Sequence, residues 1–570
     1  MPVRRAMTSA QVRRAQALKR PLLPYSEQPY RVALPLGLTA IFFLFLFLVL
    51  RPYYLTNDDG YTTLVAMGFD QPDHQSSSYL LNTNVLVARL IQWLVRCFGD
   101  CNWYGVLLLA CLCLAGWIIA DALYRRRAWA GLAFLAILEI HYFTHMEFTL
   151  QSFFLAAAGI LLIFIPSATP KRLAAGTGFV FISSLIRPEA VLLAGSAMLP
   201  WVLEQWRSEP SGPRIRKGCL LAGLGILIFG ALALNRHHWV QDPAGREVAP
   251  YIKTLHGIVE YRGLKADAGS QELLASVGWD SLDFAMYANR DWDDPLYSLE
   301  RSSRLLEQMG PVWSGKGFGW AWIFHGDFMR FQLFCLLSLA LFLGGTDRRR
   351  FLLNSLWVFG IFLGLYYGMK TNEWVAWPLF SILAFLGFLG GPKAGPGTPG
   401  LAGGLFGSRA VILLLALLCA ATLIHSEFLE NREAQTREAS LQEDLRALLP
   451  GNDHLYVVWN RGLPMEAVGV LGNYAAFKDI PVYWMNDWQR DPDSLEILRQ
   501  HGLTDPLREI VNRKDCYLIL PDYYHSLLGY FVREKLRMEP SMTLVFQGKT
   551  FNIYQIKGKP LVPGRGGRAD

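Results

Sequence analysis

The chain has 570 residues, of which 52% are hydrophobic and only 18% charged, with a mean hydropathy of +0.23 and a formal net charge of +7. Soluble domains carry about 25% charged residues, so a purely soluble globule is excluded. Disorder, which needs low hydrophobicity, fails on the same numbers, and eight cysteines are too few for a disulfide scaffold of this length. What remains is a polytopic membrane protein with soluble parts, its positive charge placed in orienting loops and not on a nucleic-acid surface.

A basic tail, 1–31, carries Arg4, Arg5, Arg13, Arg14, Lys19 and Arg20. The first apolar run, 32–50, lies between Arg31 and Arg51 and suits the roughly 20 residues that cross a hydrocarbon core. No small-residue cleavage site follows it, so it reads as an uncleaved anchor with a cytoplasmic N-terminus. Further runs fall at 104–124, 128–141, 149–166, 173–186, 189–205, 218–235, 328–345, 351–367, 374–390 and 409–425. If all eleven cross, Arg125, Arg126 and Arg127, then Lys171 and Arg172, then Arg207, Arg214, Arg216 and Lys217, then Arg348, Arg349, Arg350 and Lys393 share the inner side, as the positive-inside rule demands. The runs 173–186 and 189–205 meet at Arg187-Pro188-Glu189. One kinked helix there would send the Arg348 cluster outside, so a short hairpin is expected, with its tip below the outer surface.

This topology makes 32–425 the transmembrane domain, with outer loops at 51–103 and 236–327, and leaves 426–570 as an outer C-terminal domain. The Gly/Pro stretch 391–407 reads as an inner linker. The C-terminal region has strand patterns at 455–459, 481–484, 516–520, 543–546 and 551–555, with helical patterns between the first three. That alternation predicts a layered, partly parallel α/β sheet, closed by a hairpin turn at Gln547-Gly548-Lys549. None of its helices opens on a glycine-rich phosphate loop.

The sharpest chemical feature is Asn57-Asp58-Asp59-Gly60-Tyr61, just past the first span. Adjacent carboxylates there can supply a general base, hold a divalent cation, or merely cap a helix. Downstream, 84–98 places Arg89, Gln92 and Arg96 on one face and Leu86, Leu90, Leu94 and Phe98 on others. This is an amphipathic helix for the bilayer surface, or one packed on protein.

These features together resemble the GT-C superfamily of polytopic membrane glycosyltransferases: an inner N-terminus, an acidic pair opening the first outer loop, a surface helix, about eleven spans and an outer α/β domain. Only Asp58-Asp59 matches at the level of a motif. The resemblance implies a polyprenyl-phosphate-linked sugar as donor, membrane lipid as surroundings, and catalysis by Asp58 or Asp59, the only named candidates for a divalent metal if one is used. The expected home is a bacterial inner membrane with the C-terminal domain in the periplasm. Two rivals stand beside it: a transporter or flippase for a lipid-linked glycan, and a non-catalytic assembly subunit. Transporters often show two related halves, and no repeat is evident here.

A lipid-phosphate donor calls for a cation near the phosphate. Arg187, beside Glu189 at the hairpin tip, is the strongest candidate, since ionisable residues at that depth are costly. The plain alternative is an Arg187–Glu189 pair that braces the turn. Arg236, at the head of the large loop, and Lys370, between two spans, read more simply as interfacial anchors. A second group, Glu139, His141, His145 and Glu147, sits at the outer end of two adjoining spans. His141 and His145 are spaced i, i+4, which admits zinc, but HYFTHME is not the HExxH of metalloproteases. A polar cap on a short turn is the plain reading; the sharper one has His145 or Glu147 line the same cavity as Asp58. Asp291-Trp292-Asp293-Asp294 lacks the spacing of a calcium loop and reads as a solvated turn. Cys97 and Cys101 lie where oxidation is permitted, though their spacing is awkward for a disulfide.

Overall fold

The computed structural model describes residues 30–69, 76–80, 82–99, 101–126, 128–165, 168–262, 264–265, 267–289, 295–309, 348–368, 373–390, 406–448, 453–459, 461–472, 474, 477–485 and 494–561. The basic tail before residue 30, the run 328–345, Lys370, Lys393 and the 291–294 acids lie outside the described residues.

Every other apolar run forms a helix. In chain order these are α1 (Tyr30–Val49), a two-residue strand β1 (Tyr53–Tyr54), α2 (Asn57–Ala66), α3 (Val85–Phe98), α4 (Trp103–Arg125), α5 (Trp129–Thr144), a second short strand β2 (His145–Met146), α6 (Phe148–Phe164), α7 (Pro170–Ile186), α8 (Pro188–Ser208) and α9 (Ser211–Gln241). α6 is apolar on all sides and almost wholly buried, so it forms the hub of the bundle. It meets α7 closely through small residues: a Cβ on Gly159 would lie 2.7 Å from the Gly176 carbonyl oxygen. Around this hub, α1 and α9 turn leucine, isoleucine and phenylalanine outward; Ile226 and Phe229 are 73% and 75% exposed. Apolar side chains facing out from apolar helices require a hydrocarbon solvent, and the chain is a polytopic helical membrane protein.

The hairpin at Arg187 is real. Ser152 of α6 bonds Ser183 of α7, and its hydroxyl also reaches the Arg187 carbonyl, whereas Phe164 at the far end of α6 contacts Trp206 of α8. α7 therefore runs antiparallel to α6 and α8 parallel to it, with extended Arg187 (φ −152°, ψ 98°) as the whole connection. Pro188 helps to force the break, because proline disfavours helical backbone at the residue before it.

The two ends of the bundle differ in charge. At one end Arg125 and Arg172 both pair with Asp121, Arg126 donates to the Leu389 carbonyl, and Lys217 lies over Phe164 while pairing with Glu209. The Arg187 tip, β1 and α2 occupy the opposite end. α3 shows a mixed character: Val87, Ala88 and Ile91 pack inward while Leu86, Leu90, Trp93 and Phe98 face out beside Arg89. Cys97 and Cys101 are both exposed free thiols, so the disulfide is not formed.

The long segment after α9 continues as α10 (Pro243–Leu255), α11 (Gln271–Ala275), α12 (Ser281–Ala288) and α13 (Leu299–Gln308). α9 itself runs on to Gln241, past residue 236. Then come α14 (Arg348–Gly368), α15 (Glu373–Gly390) and the 40-residue α16 (Phe406–Leu445), which continues well past the expected membrane exit at 425.

The C-terminal sheet comprises β3 (Leu455–Trp459), β4 (Val482–Met485), β5 (Cys516–Ile519), β6 (Met538–Gln547) and β7 (Asn552–Pro560), ordered β4-β3-β5-β7-β6. The first three are parallel and the last two form the expected hairpin. Helices α17 (Ser494–Gln500) and α18 (Pro506–Glu509) separate β4 from β5, and α19 (His525–Glu534) follows β5. Between β3 and β4, where a helix was expected, the described residues form no α-helix and include a 3-10 turn at Met465–Ala467. β6 is more than twice as long as expected, and its Pro540 is tolerated because β6 is the sheet edge.

β3 and β4 are buried on both faces, which explains the unbroken apolar run of β3, whereas the edge strand β6 is largely exposed. Leu455, Val457 and Trp459 pack with Tyr287, Trp279 and Leu305 of the segment after α9. Tyr456 and Val458 face the core that includes the membrane helices. That segment and the C-terminal region thus share one core.

Candidate functional site

Asp58 and Asp59 lie in the first turn of α2 and differ in environment. Asp59 is fully buried. Its two oxygens accept hydrogen bonds from Tyr104 of α4 at 2.7 Å and from Thr56 at 2.9 Å. Asp58 is half-buried, and its charge bears on Glu147, the residue that caps α6 by accepting from the Leu150 amide at 2.8 Å and the Thr149 hydroxyl at 2.7 Å. Burial holds the Asp59 carboxyl well above the ordinary carboxylate range, and the nearby charges of Glu147 and Asp58 reinforce it. Burial likewise pushes Glu147 up to about 7, although its two donors and Arg187 pull the other way.

The residues of this cluster come from three segments. The two-strand ladder aligns the segments: β1 pairs with β2 in parallel, Tyr53 opposite His145 and Tyr54 opposite Met146. The same register sets Asp58 and Asp59 near Glu147. Arg187 arrives from the hairpin tip, where it donates to Asn82 at 2.9 Å, pairs with Glu189 at 3.2 Å and lies 5.2 Å from the Phe148 ring centre. Glu189 itself is exposed.

The C-terminal domain closes on α2. Gly60 sits so near the Met465 carbonyl oxygen that a Cβ would come within 2.0 Å of it. The Glu466 amide donates to Asn57 at 3.1 Å, Asn102 donates to the Val470 carbonyl at 2.7 Å, and Tyr61 meets Trp484 edge-on at 5.5 Å. Sequence reasoning missed Tyr104, Asn102 and this roof.

The structure divides the group of four around the second acidic motif. Glu147 joins Asp58 and Asp59. Glu139 points instead at Gly116 of α4. His141 and His145 face α16: His141 Nδ1 lies 2.6 Å from Glu427 Oε1, His145 Nδ1 3.1 Å from Glu427 Oε2, and His145 Nε2 3.1 Å from both Glu430 and the Tyr53 hydroxyl. Glu427 and Glu430 were not singled out from sequence. Their i, i+3 spacing just beyond an apolar run was the available signal. Arg236 is exposed, one residue past Asn235, whose side chain accepts from the Val85 amide at 2.8 Å.

No family model matches the chain, and no curated protein matches it. Among solved structures the chain is similar to ArnT from Cupriavidus metallidurans, in crystals of its apo state and of its form bound to undecaprenyl phosphate. The two alignments have 12% and 13% identity and cover 91% and 92% of this chain and 97% of that one, with a TM-score of 0.37 in each. Likeness at that level assigns no residue a role.

Proposed function

We propose that the chain is a membrane glycosyltransferase of the GT-C type, moving a sugar from a polyprenyl-phosphate-linked donor to an acceptor hydroxyl on the outer face of the membrane. The observation that carries this reading is the convergence of Asp58, Asp59, Glu147 and Arg187 at the bundle end opposite the basic clusters. Group transfer from a lipid phosphate needs a base for the acceptor and a cation for the departing phosphate. Asp58, half-buried in the first turn of α2, takes the acceptor proton as the hydroxyl oxygen attacks the anomeric carbon. The bond from that carbon to the phosphate oxygen breaks through an oxocarbenium-like state, and the polyprenyl phosphate leaves as an anion held by Arg187. Asp59 fixes α2 through Tyr104 and Thr56 and takes no part in the proton transfer. The exposed apolar face of α3 lies in the interfacial region and places the donor lipid beside the cluster.

The test is release of polyprenyl phosphate from a panel of polyprenyl-phosphate sugars by the full chain in proteoliposomes. Release by the wild type and its loss in Asp58→Asn are expected. Movement of donor across the bilayer without release would refute the reading. Sidedness is checked separately: in a parent with the exposed Cys97, Cys101 and Cys219 replaced by serine, Tyr523→Cys, 64% exposed on the C-terminal domain, should react with an impermeant thiol reagent in intact cells beyond the level of that parent. Reaction only after lysis would overturn the outer placement.

A further inference from the structure

We infer that His141, His145 and Glu427 form a binding site for a divalent transition-metal ion, zinc by its ligand chemistry, that clamps α16 to the turn carrying Glu147. One ligand atom from each of the three side chains lies within 4.8 Å of the others, and all three residues are buried. Zinc takes imidazole nitrogen and carboxylate oxygen at about 2.0–2.2 Å, which places its ligands a little over 3 Å apart. The present spacings of 2.6 and 3.1 Å from the histidines to Glu427 need only a small outward movement of side chains to admit an ion. Hard cations such as magnesium prefer all-oxygen sites, so a set of two imidazoles and one carboxylate selects against them.

The surroundings supply what such a site requires. A metal-binding histidine usually donates its other ring nitrogen to a carboxylate, which fixes the tautomer and the ring plane. His145 does so here: Nε2 meets Glu430 at 3.1 Å, and Nδ1 is directed at Glu427. The Tyr53 hydroxyl, also 3.1 Å from Nε2, holds the same edge. The Thr144 hydroxyl donates to Glu427, and Trp377 packs edge-on against the His141 ring at 4.4 Å between centres. Binding replaces the proton shared between His141 Nδ1 and Glu427, and that proton leaves to solvent.

The position gives the ion a consequence. His145 lies in β2, two residues before Glu147, while Glu427 belongs to the helix that carries the C-terminal domain. The ion would therefore join the roof to the turn that sets Glu147 against Asp58. Because the ligands are buried, its role is to position these segments and not to contact substrate.

The experiment uses the full chain, purified in detergent, stripped with a strong chelator and dialysed against zinc or cobalt(II). One zinc per chain is expected by elemental analysis, with cobalt giving visible bands of a low-symmetry site. His145→Gln and Glu427→Gln should lose the ion, whereas Asp58→Asn, which leaves the ligands intact, should keep it. Glu430→Gln should weaken binding by about 10- to 100-fold, the usual effect of losing an orienting partner. Absence of stoichiometric metal from the wild type, or equal retention in His145→Gln and Glu427→Gln, would overturn the assignment. If those two variants fail to fold, the cobalt spectrum of the wild type decides alone, since hexa-aqua-like bands there would also overturn it. None of these readouts depends on glycosyl transfer.

Discussion

Replacing Asp58 and Asp59 one at a time should produce opposite phenotypes, because one carboxylate is half-buried and the other is sealed. Asp59→Ala strands two hydroxyls, those of Tyr104 and Thr56, that now donate at 2.7 and 2.9 Å inside the protein. The buried Tyr104 donor left without an acceptor costs about 1–3 kcal/mol, and the half-buried Thr56 hydroxyl adds less because water can reach it. Together these are an appreciable share of the roughly 5–15 kcal/mol typical of a folded domain. The protein should melt earlier in detergent and accumulate poorly. Asp58→Asn keeps size and packing but removes the proton acceptor. Loss of a general base costs about 100- to 10,000-fold in rate, or about 3–5 kcal/mol in the barrier. Paired melting curves and polyprenyl phosphate release separate the two. The reasoning fails if Asp58→Asn turns over normally, or if Asp59→Ala melts with the wild type.

Gly60→Ala should destabilise the full chain by about 1–3 kcal/mol or more, measured by thermal melting, since the added methyl meets the Met465 carbonyl with no flexible side chain to yield. Glu147 makes stability depend on pH in a definite sense. The folded protein keeps its proton up to about 7, whereas the unfolded chain releases it near the ordinary glutamate value of 4.5, so stability should fall as pH rises through that window and level off above it. Glu147→Gln should flatten that component of the melting-temperature profile; an unchanged slope would count against the shift. Arg187→Gln should weaken donor use with little change in abundance, because its partner Glu189 is 66% exposed and pairs of that kind contribute about 0–1 kcal/mol. A sharp fall in abundance with normal donor use would reassign Arg187 to bracing.

The helices were legible because each apolar run is long and continuous, as α4 and α6 show. The parallel core of the sheet was legible for a similar reason: LYVVW can be apolar throughout only where both faces are covered. The break at Arg187 was readable from Pro188 and from charge parity. Other features left no local trace. Asp58 and Asp59 are identical side chains in adjacent positions, and only the later arrival of Tyr104 makes one of them inaccessible. The partners of His141 and His145 lie 286 and 285 residues away, on a helix whose polar second half looked like the start of a separate domain. A helix between β3 and β4 was wrongly expected, since the apolar residues at 463–470 serve packing against α2 and the sheet instead of helical periodicity.

α16 is held at four stations along one uninterrupted helix. Glu427 meets the two histidines, Asn431 bonds both the amide and the carbonyl of Arg51, Glu438 accepts from Tyr474 at 3.2 Å, and Asp444 accepts from the Lys549 and Thr550 amides at 3.0 and 2.6 Å. Each added residue turns a helix by about 100° and lengthens it by about 1.5 Å. One residue inserted between Asn431 and Glu438 would therefore swing the last two stations about a quarter-turn out of phase with the first two. Seven inserted residues would restore the direction to within about 20° but lift the sheet by about 10 Å. The segment behaves as a gauge whose length is as constrained as its sequence, so change in this protein is confined there to substitution, while insertion and deletion are left to the loops.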